Sequence, residues 1–187
     1  NRVNIETTEV KEIPFEVNAK IDIAETVRSE QQVYAEKFSP KVIRHATTSP
    51  DGKTLVFNAV GYLWKKSLPN GKPKRITEAT DFEFEPDFSP DGKSIVYITW
   101  DDEKLGSIKK VALSGGTPET LSKEKGIYRN PSYSHNGEMI VYHKDRGNSD
   151  QGQTFTKEPG IYLMKADGSD AKRIYKGGDF AMFNHDD

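Results

Sequence analysis

The chain has 187 residues and 21.0 kDa, with 27 Lys and Arg against 29 Asp and Glu, a formal net charge of −2 and no cysteine. Near-balanced charge excludes a nucleic-acid clamp and a polybasic membrane surface, both of which need a concentrated positive field. Absent thiols exclude disulfide scaffolds, thiolate zinc sites and cysteine nucleophiles, and leave the compartment open.

Nine Phe, eight Tyr and two Trp are too many aromatics for a disordered tail. No apolar run approaches the roughly 20 residues that a membrane-crossing helix needs, so membrane insertion is not expected. Asn1 opens directly on alternating sequence with neither a basic nor an apolar leader, so an export signal would have to lie upstream.

In chain order, Val3–Glu6, a turn near Thr8–Glu9 and Lys11–Phe15 read as two strands of a hairpin. The alternating Phe15, Val17, Ala19, Ile21 and Ile23 read as a connecting strand. Residues 24–39, enriched in Glu, Gln, Arg and Ala, read as a short helix or a linker. A repeated unit then begins. Ser49-Pro50-Asp51-Gly52 is followed by Thr54-Leu55-Val56-Phe57, then Tyr62-Leu63-Trp64, a turn at Pro69-Asn70-Gly71, and Arg75-Ile76-Thr77.

The second copy has Ser89-Pro90-Asp91-Gly92, Ser94-Ile95-Val96-Tyr97, Ser107–Val111, a turn at Ser114-Gly115-Gly116 and Glu119-Thr120-Leu121. The third has Ser134-His135-Asn136-Gly137, Met139-Ile140-Val141-Tyr142, Ile161–Lys165, a turn at Asp167-Gly168 and Lys172–Tyr175. The repeated serines lie 40 and then 45 residues apart, at positions 49, 89 and 134. Pro presets φ at the second turn position, Asp or Asn suits the third, and Gly takes the left-handed conformation that closes the turn.

Phe183-Asn184-His185-Asp186-Asp187 aligns with Phe88–Gly92 as the opening of another copy, 50 residues on. Four short strands per 40 to 50 residues is the pattern of a β-propeller blade. The expected fold is therefore all-β: a β-propeller segment of four-stranded antiparallel blades, about three complete and partial ones at both ends. The expected division is 1–23, the end of a preceding blade with a connecting strand; 24–43, a linker; and blades at 44–84, 85–129 and 130–180. The last carries a polar insertion at 145–159, and 181–187 starts a further blade. Propellers close with typically 4 to 8 blades, so a ring containing these units needs further blades from a longer chain or a partner.

The line Pro86-Asp87-Phe88-Ser89-Pro90-Asp91-Gly92-Lys93-Ser94-Ile95-Val96-Tyr97 resembles the hallmark of TolB-like, PD-type relatives of WD-repeat propellers. The first copy departs from it at Ala46 and Thr48, and the third replaces Pro-Asp by His135-Asn136. Arg44–Gly52, Val60–Trp64, Phe82–Pro86, Tyr97–Asp102 and the insertion Gly147–Phe155 with Glu158–Tyr162 further resemble the propeller of large bacterial amidohydrolase-family proteins. That resemblance implies an exported, periplasmic or extracellular protein in which a propeller precedes a hydrolase barrel holding a divalent metal, the barrel lying outside these residues. It implies a scaffold, access or docking role for the propeller, with the catalytic domain or another protein as partner and a peptide or small molecule as channel ligand. A stand-alone TolB-type binding protein and the propeller of a prolyl-oligopeptidase or tricorn-like peptidase are the alternatives.

No catalytic, cofactor-binding or metal-ligating residue is assigned within the chain. His45, His135, His143 and His185 form no H-x-H or H-E-x-x-H pair. Gly147-Asn148-Ser149-Asp150-Gln151 lacks the last glycine of a nucleophile elbow. Residues 145–150 lack the carboxylate density of a calcium loop, and Asp101-Asp102-Glu103 reads as a solvated hairpin tip. Phe57, Trp64, Tyr97, Trp100, Tyr142 and Tyr162 are expected in the core between blades. The candidate interaction loop is the polar insertion, with Arg146, Asn148 and Gln151 as its contact residues.

Overall fold

The computed structural model of the chain describes residues 1–29, 36–147 and 156–184. Residues 1–38 and 39–187 form two separate compact units. In the first, β1 (Arg2–Val3) pairs antiparallel with β2 (Val10–Lys11), Arg2 opposite Lys11 and Val3 opposite Val10. The Asn4 side chain shapes the turn by accepting from the amides of Glu6 and Thr7 at 2.9 and 3.2 Å. The expected strands beyond Lys11 do not form, and residues 12–29 carry no helix or strand. Phe15, Val17, Ile21 and Ile23 are all exposed, so their alternation has no opposing layer to bury one face, and a strand without that burial is not stable.

The second unit contains three four-stranded antiparallel sheets. The first runs β3 (Arg44–Thr48), β4 (Thr54–Ala59), β5 (Tyr62–Ser67), β6 (Lys74–Arg75). The second runs β7 (Phe82–Phe88), β8 (Ser94–Trp100), β9 (Ser107–Ala112), β10 (Glu119–Thr120). The third runs β11 (Tyr128–Tyr133), β12 (Met139–Lys144), β13 (Gly160–Lys165), β14 (Lys172–Tyr175). Strands follow one another in sheet order, the up-and-down meander of propeller blades. Phe82 to Phe84 pair with Ile98 to Trp100, so they belong to the second sheet.

The recurring turn is a small hydrogen-bonded device. Ser49 Oγ donates to Asp51 Oδ1 at 2.6 Å and accepts from the Thr54 amide at 2.9 Å, while the Lys53 amide donates to the same aspartate oxygen at 3.0 Å. Ser89 and Asp91 repeat these contacts, and Asn136 Oδ1 takes the place of the carboxylate in the third copy, accepting from Ser134 Oγ at 2.7 Å. The motif needs a side-chain oxygen at that position and not a charge, which is why Asn substitutes for Asp. Gly52, Gly92 and Gly137 close the turns at φ of 69°, 68° and 75°.

The central sheet is buried on both faces, so Ile95–Ile98 of β8 reads as an unbroken buried run. Alternate residues point opposite ways. Ile95 and Tyr97 join Val56, Leu63, Ile76, Phe88 and Val111 between the first and second sheets. Val96 and Ile98 join Ile108, Leu121, Tyr128, Tyr133, Ile140, Tyr142 and Met164 between the second and third. Each such fully buried Ile, Leu or Val contributes about 1.5–3 kcal/mol.

The aromatic expectation needs correction in part. Phe57, Tyr97 and Tyr142 are buried, but Trp64, Trp100 and Tyr162 are only half-buried. Their polar tips reach strand ends: Trp64 Nε1 donates to Ala59 O at 2.9 Å and Trp100 Nε1 to Asp102 Oδ1 at 2.8 Å.

Candidate interaction site at the inner strands

The first strand of each sheet carries the same irregularity. Register shifts fall between Arg44 and Thr47, Phe84 and Asp87, and Arg129 and Ser132. At each bulge one residue is left-handed: His45 at φ 49°, Glu85 at 49° and Asn130 at 48°. Phe180, at φ 55°, repeats the conformation in the fourth copy. All four lie four positions before the turn serine or, in the fourth copy, before Asn184. None is glycine, so each is held there by its surroundings.

These bulges come together. A cleft of about 260 Å³ is lined by residues 45–47, 85–87 and 130–132, the equivalent triplet of three successive inner strands, and by 180–182, which hold the same place in the repeat but carry no strand. A neighbouring cleft of about 270 Å³ shares His45 and Glu85 and adds Arg44, Trp100 and Arg129.

The carboxylates here are engaged in holding β11 against β7. Glu85 Oε1 accepts from Arg129 Nε at 2.8 Å, with Arg129 Nη2 at 2.6 Å, and Oε2 accepts from the Asn130 amide at 2.7 Å. Asp87 Oδ2 accepts from the Tyr133 amide at 2.9 Å and Ser132 Oγ at 3.2 Å. Burial pushes the Asp87 carboxyl above its usual range, opposed by those hydrogen bonds. His45 Nε2 stands 3.9 Å from Glu85 Oε1; burial lowers its pKa first, with Glu85 opposing and Arg129 and Arg44 adding to the fall. What remains for a partner is the His45 imidazole and the apolar surface of Phe180 and Met182, both largely exposed.

Neither His135 nor His143 lines this cleft. His143 is buried, with Nδ1 3.3 Å from Asp179 Oδ1, His135 sits in its turn, and His185 lies outside the described residues. Asp101 Oδ1 accepts from the amides of Glu103 and Lys104 at 3.0 and 2.8 Å, which makes it the cap of an exposed hairpin tip. Of the candidate loop, Arg146 is exposed and its amide donates to Asp145 Oδ1 at 2.6 Å, whereas Asn148 and Gln151 lie outside the described residues. His45 and Glu85 are not singled out as a pair by the sequence reading, although their equivalent place, four residues before the turn serine, is the signal that could find them, with Asp87 two residues further on.

No protein-family model matches the chain, and no curated protein matches it. Solved structures do. TolB from Acinetobacter baumannii aligns with a TM-score of 0.57 and 22% identity over 71% of this chain and 32% of its own. An oligogalacturonate lyase in complex with manganese aligns with a TM-score of 0.58 and 14% identity over 72% of this chain and 40% of its own. The tricorn protease aligns with a TM-score of 0.55 and 16% identity, over 73% of this chain and 13% of its own. The chain thus spans about a third of the TolB it matches. Its fold is that of a TolB-like β-propeller segment, built from three complete four-stranded sheets.

Proposed function

We propose that the chain is a non-catalytic, TolB-like propeller segment that serves as scaffold, access or protein-interaction module of a larger metal-dependent amidohydrolase-like protein. The observation that carries the reading is the commitment of Glu85 and Asp87 to the β7–β11 junction, which leaves the inner cleft with binding surface in place of reactive carboxylates. Residue-level likeness to the propeller of such hydrolases, at Arg44–Gly52 and Phe82–Pro86, supports the parent protein's class. On this reading the polar insertion at 145–159, with Arg146, Asn148 and Gln151, faces the catalytic domain, a divalent metal belongs to that domain, and the protein is exported.

A stand-alone TolB-type binding protein is the second reading, favoured by the likeness of fold to TolB. The two separate on the intact mass of the protein from its source, with the sequence read beyond Asp187. A barrel carrying H-x-H supports the hydrolase parent. A chain that ends soon after ring closure overturns that reading and leaves the binding protein.

A further inference from the structure

A second pocket, of about 300 Å³, lies between the second and third sheets, apart from the cleft at the inner-strand bulges. Tyr128, Tyr142, Tyr162, Leu121 and Met164 line it, and Lys144 enters it from the end of β12. Tyr142 and Tyr162 are stacked, their ring centroids 5.5 Å apart and planes 19° from parallel, and Tyr128 meets Tyr142 edge-on at 5.8 Å. A flat apolar wall therefore stands beside a cation.

The Lys144 side chain is only 4% exposed, and an ammonium so buried requires a counter-charge. Its partner is Glu124 Oε2 at 2.7 Å, on a side chain that is 70% exposed. The pair is lopsided: the cation is fixed in the protein, while its anion stands in water and can give way once another carboxylate takes its place. Arg173 repeats the arrangement at the rim, with its side chain 26% exposed and Glu158, 73% exposed, at 3.6 Å. Two tyrosine hydroxyls secure the backbone of these acidic residues and leave their carboxylates untouched. Tyr128 Oη donates to Glu124 O, and Tyr162 Oη to Glu158 O, each at 2.6 Å.

We propose that this pocket receives a carboxylate carried on a small apolar body, which displaces Glu124 from Lys144 and lies against the Tyr142–Tyr162 wall. In the free protein Glu124 supplies from within the chain the group that the ligand brings. The volume sits at the lower end of small-molecule sites and suits a single ring acid or one acidic side chain. This inference is independent of the reading given to the inner strands.

The test uses the 187-residue chain, with amide NMR shifts at Glu124, Gly126 and Tyr162 followed as benzoate, benzamide or N-acetyl-aspartate N-methylamide is added. Benzoate or the aspartate derivative is expected to give saturable shifts, with benzamide at least about tenfold weaker because it offers Lys144 no charge. Tighter binding of benzoate assigns a free ring acid as the ligand, and tighter binding of the aspartate derivative assigns an acidic side chain of a protein segment. Glu124→Ala should tighten binding severalfold by removing the internal competitor, Lys144→Arg should retain it, and Lys144→Met should abolish it. Equal binding of benzamide, weaker binding by Glu124→Ala, or no saturation with either acid overturns the proposal. Glu124→Ala and Lys144→Arg keep the test decisive even if Lys144→Met does not fold.

Discussion

The two junctions between sheets are built from the same repeat and filled in opposite ways. Glu83 and Tyr128 occupy equivalent positions, six before the turn serine, yet one is a carboxylate and the other a phenol. Between the first and second sheets Glu83 is wholly buried, its Oε2 accepting from the Leu63 amide at 2.9 Å and its Oε1 from the Thr77 hydroxyl. Every partner of that charge is protein, so it acts as a pin through the junction. Between the second and third sheets Glu85 and Asp87 are engaged by β11 at one end, tyrosines fill the rest of the space, and a further buried charge, Lys144, has its anion in water. A buried charge with buried partners locks a junction, whereas one with an exposed partner leaves a place where something else can bind.

What stays constant across both junctions is a backbone-directed contact. Lys65 Nζ donates to Leu113 O, and the equivalent Lys110 Nζ donates to Ala166 O at 3.2 Å, each reaching the next sheet's turn. The repeat preserves the frame and varies the filling.

The comparison is broken most severely at Glu83. Glu83→Ala strands the Leu63 amide and the Thr77 hydroxyl, and should cost about 3–5 kcal/mol in urea unfolding. Glu124→Ala, which leaves the buried Lys144 ammonium without its counter-charge but open to water at the pocket, should cost less, about 1–3 kcal/mol. Equal losses would sink the distinction between the two charges.

Smaller changes sharpen it. Tyr128→Phe removes a hydroxyl that donates to Glu124 O and should cost about 1 kcal/mol. Tyr97→Phe should instead be neutral or stabilising by up to about 1 kcal/mol, because the buried Tyr97 hydroxyl has no partner among the described residues. A marked loss on Tyr97→Phe, read from the same unfolding curves, would contradict that assignment.

The smallest effect expected is at His45. Its pKa is held below the ordinary 6.5, so the unfolded chain takes up the proton first as pH falls. The neutral imidazole's contribution is complete above 6.5 and is lost below it, toward the folded-state pKa. Unfolding midpoints compared on the two sides of that value should fall more on acidification for the native chain than for His45→Gln. An NMR titration midpoint for His45 at or above 6.5 would refute the burial argument.

Much of the fold was legible in the sequence because turn chemistry repeats literally. Ser-Pro-Asp-Gly fixes where each sheet starts its second strand, and Ile95 to Ile98 announces a strand buried on both faces. Residues 12–23 misled for a physical reason: alternation predicts a strand only where a second layer exists to cover one face, and sequence does not display that layer. The inner cleft was less legible because His45, Glu85, Asn130 and Phe180 share a backbone conformation and no chemistry. Trp64 and Trp100 were placed by strand position alone, which ignores the pull of an indole N–H toward a strand-end acceptor.

The left-handed bulge separates two duties that usually fall on one residue. The backbone there carries a conformational cost of about 1–3 kcal/mol for an L residue, and that cost is the same in kind whether the side chain is imidazole, carboxylate, amide or phenyl. Composition can therefore vary from bulge to bulge, from the exposed His45 and Phe180 to a Glu85 that is committed to the β7–β11 contact. The inner rim works as a display at fixed places, and grafting new groups onto positions 45 and 180, which that contact leaves uncommitted, is the direct route to a new binding face.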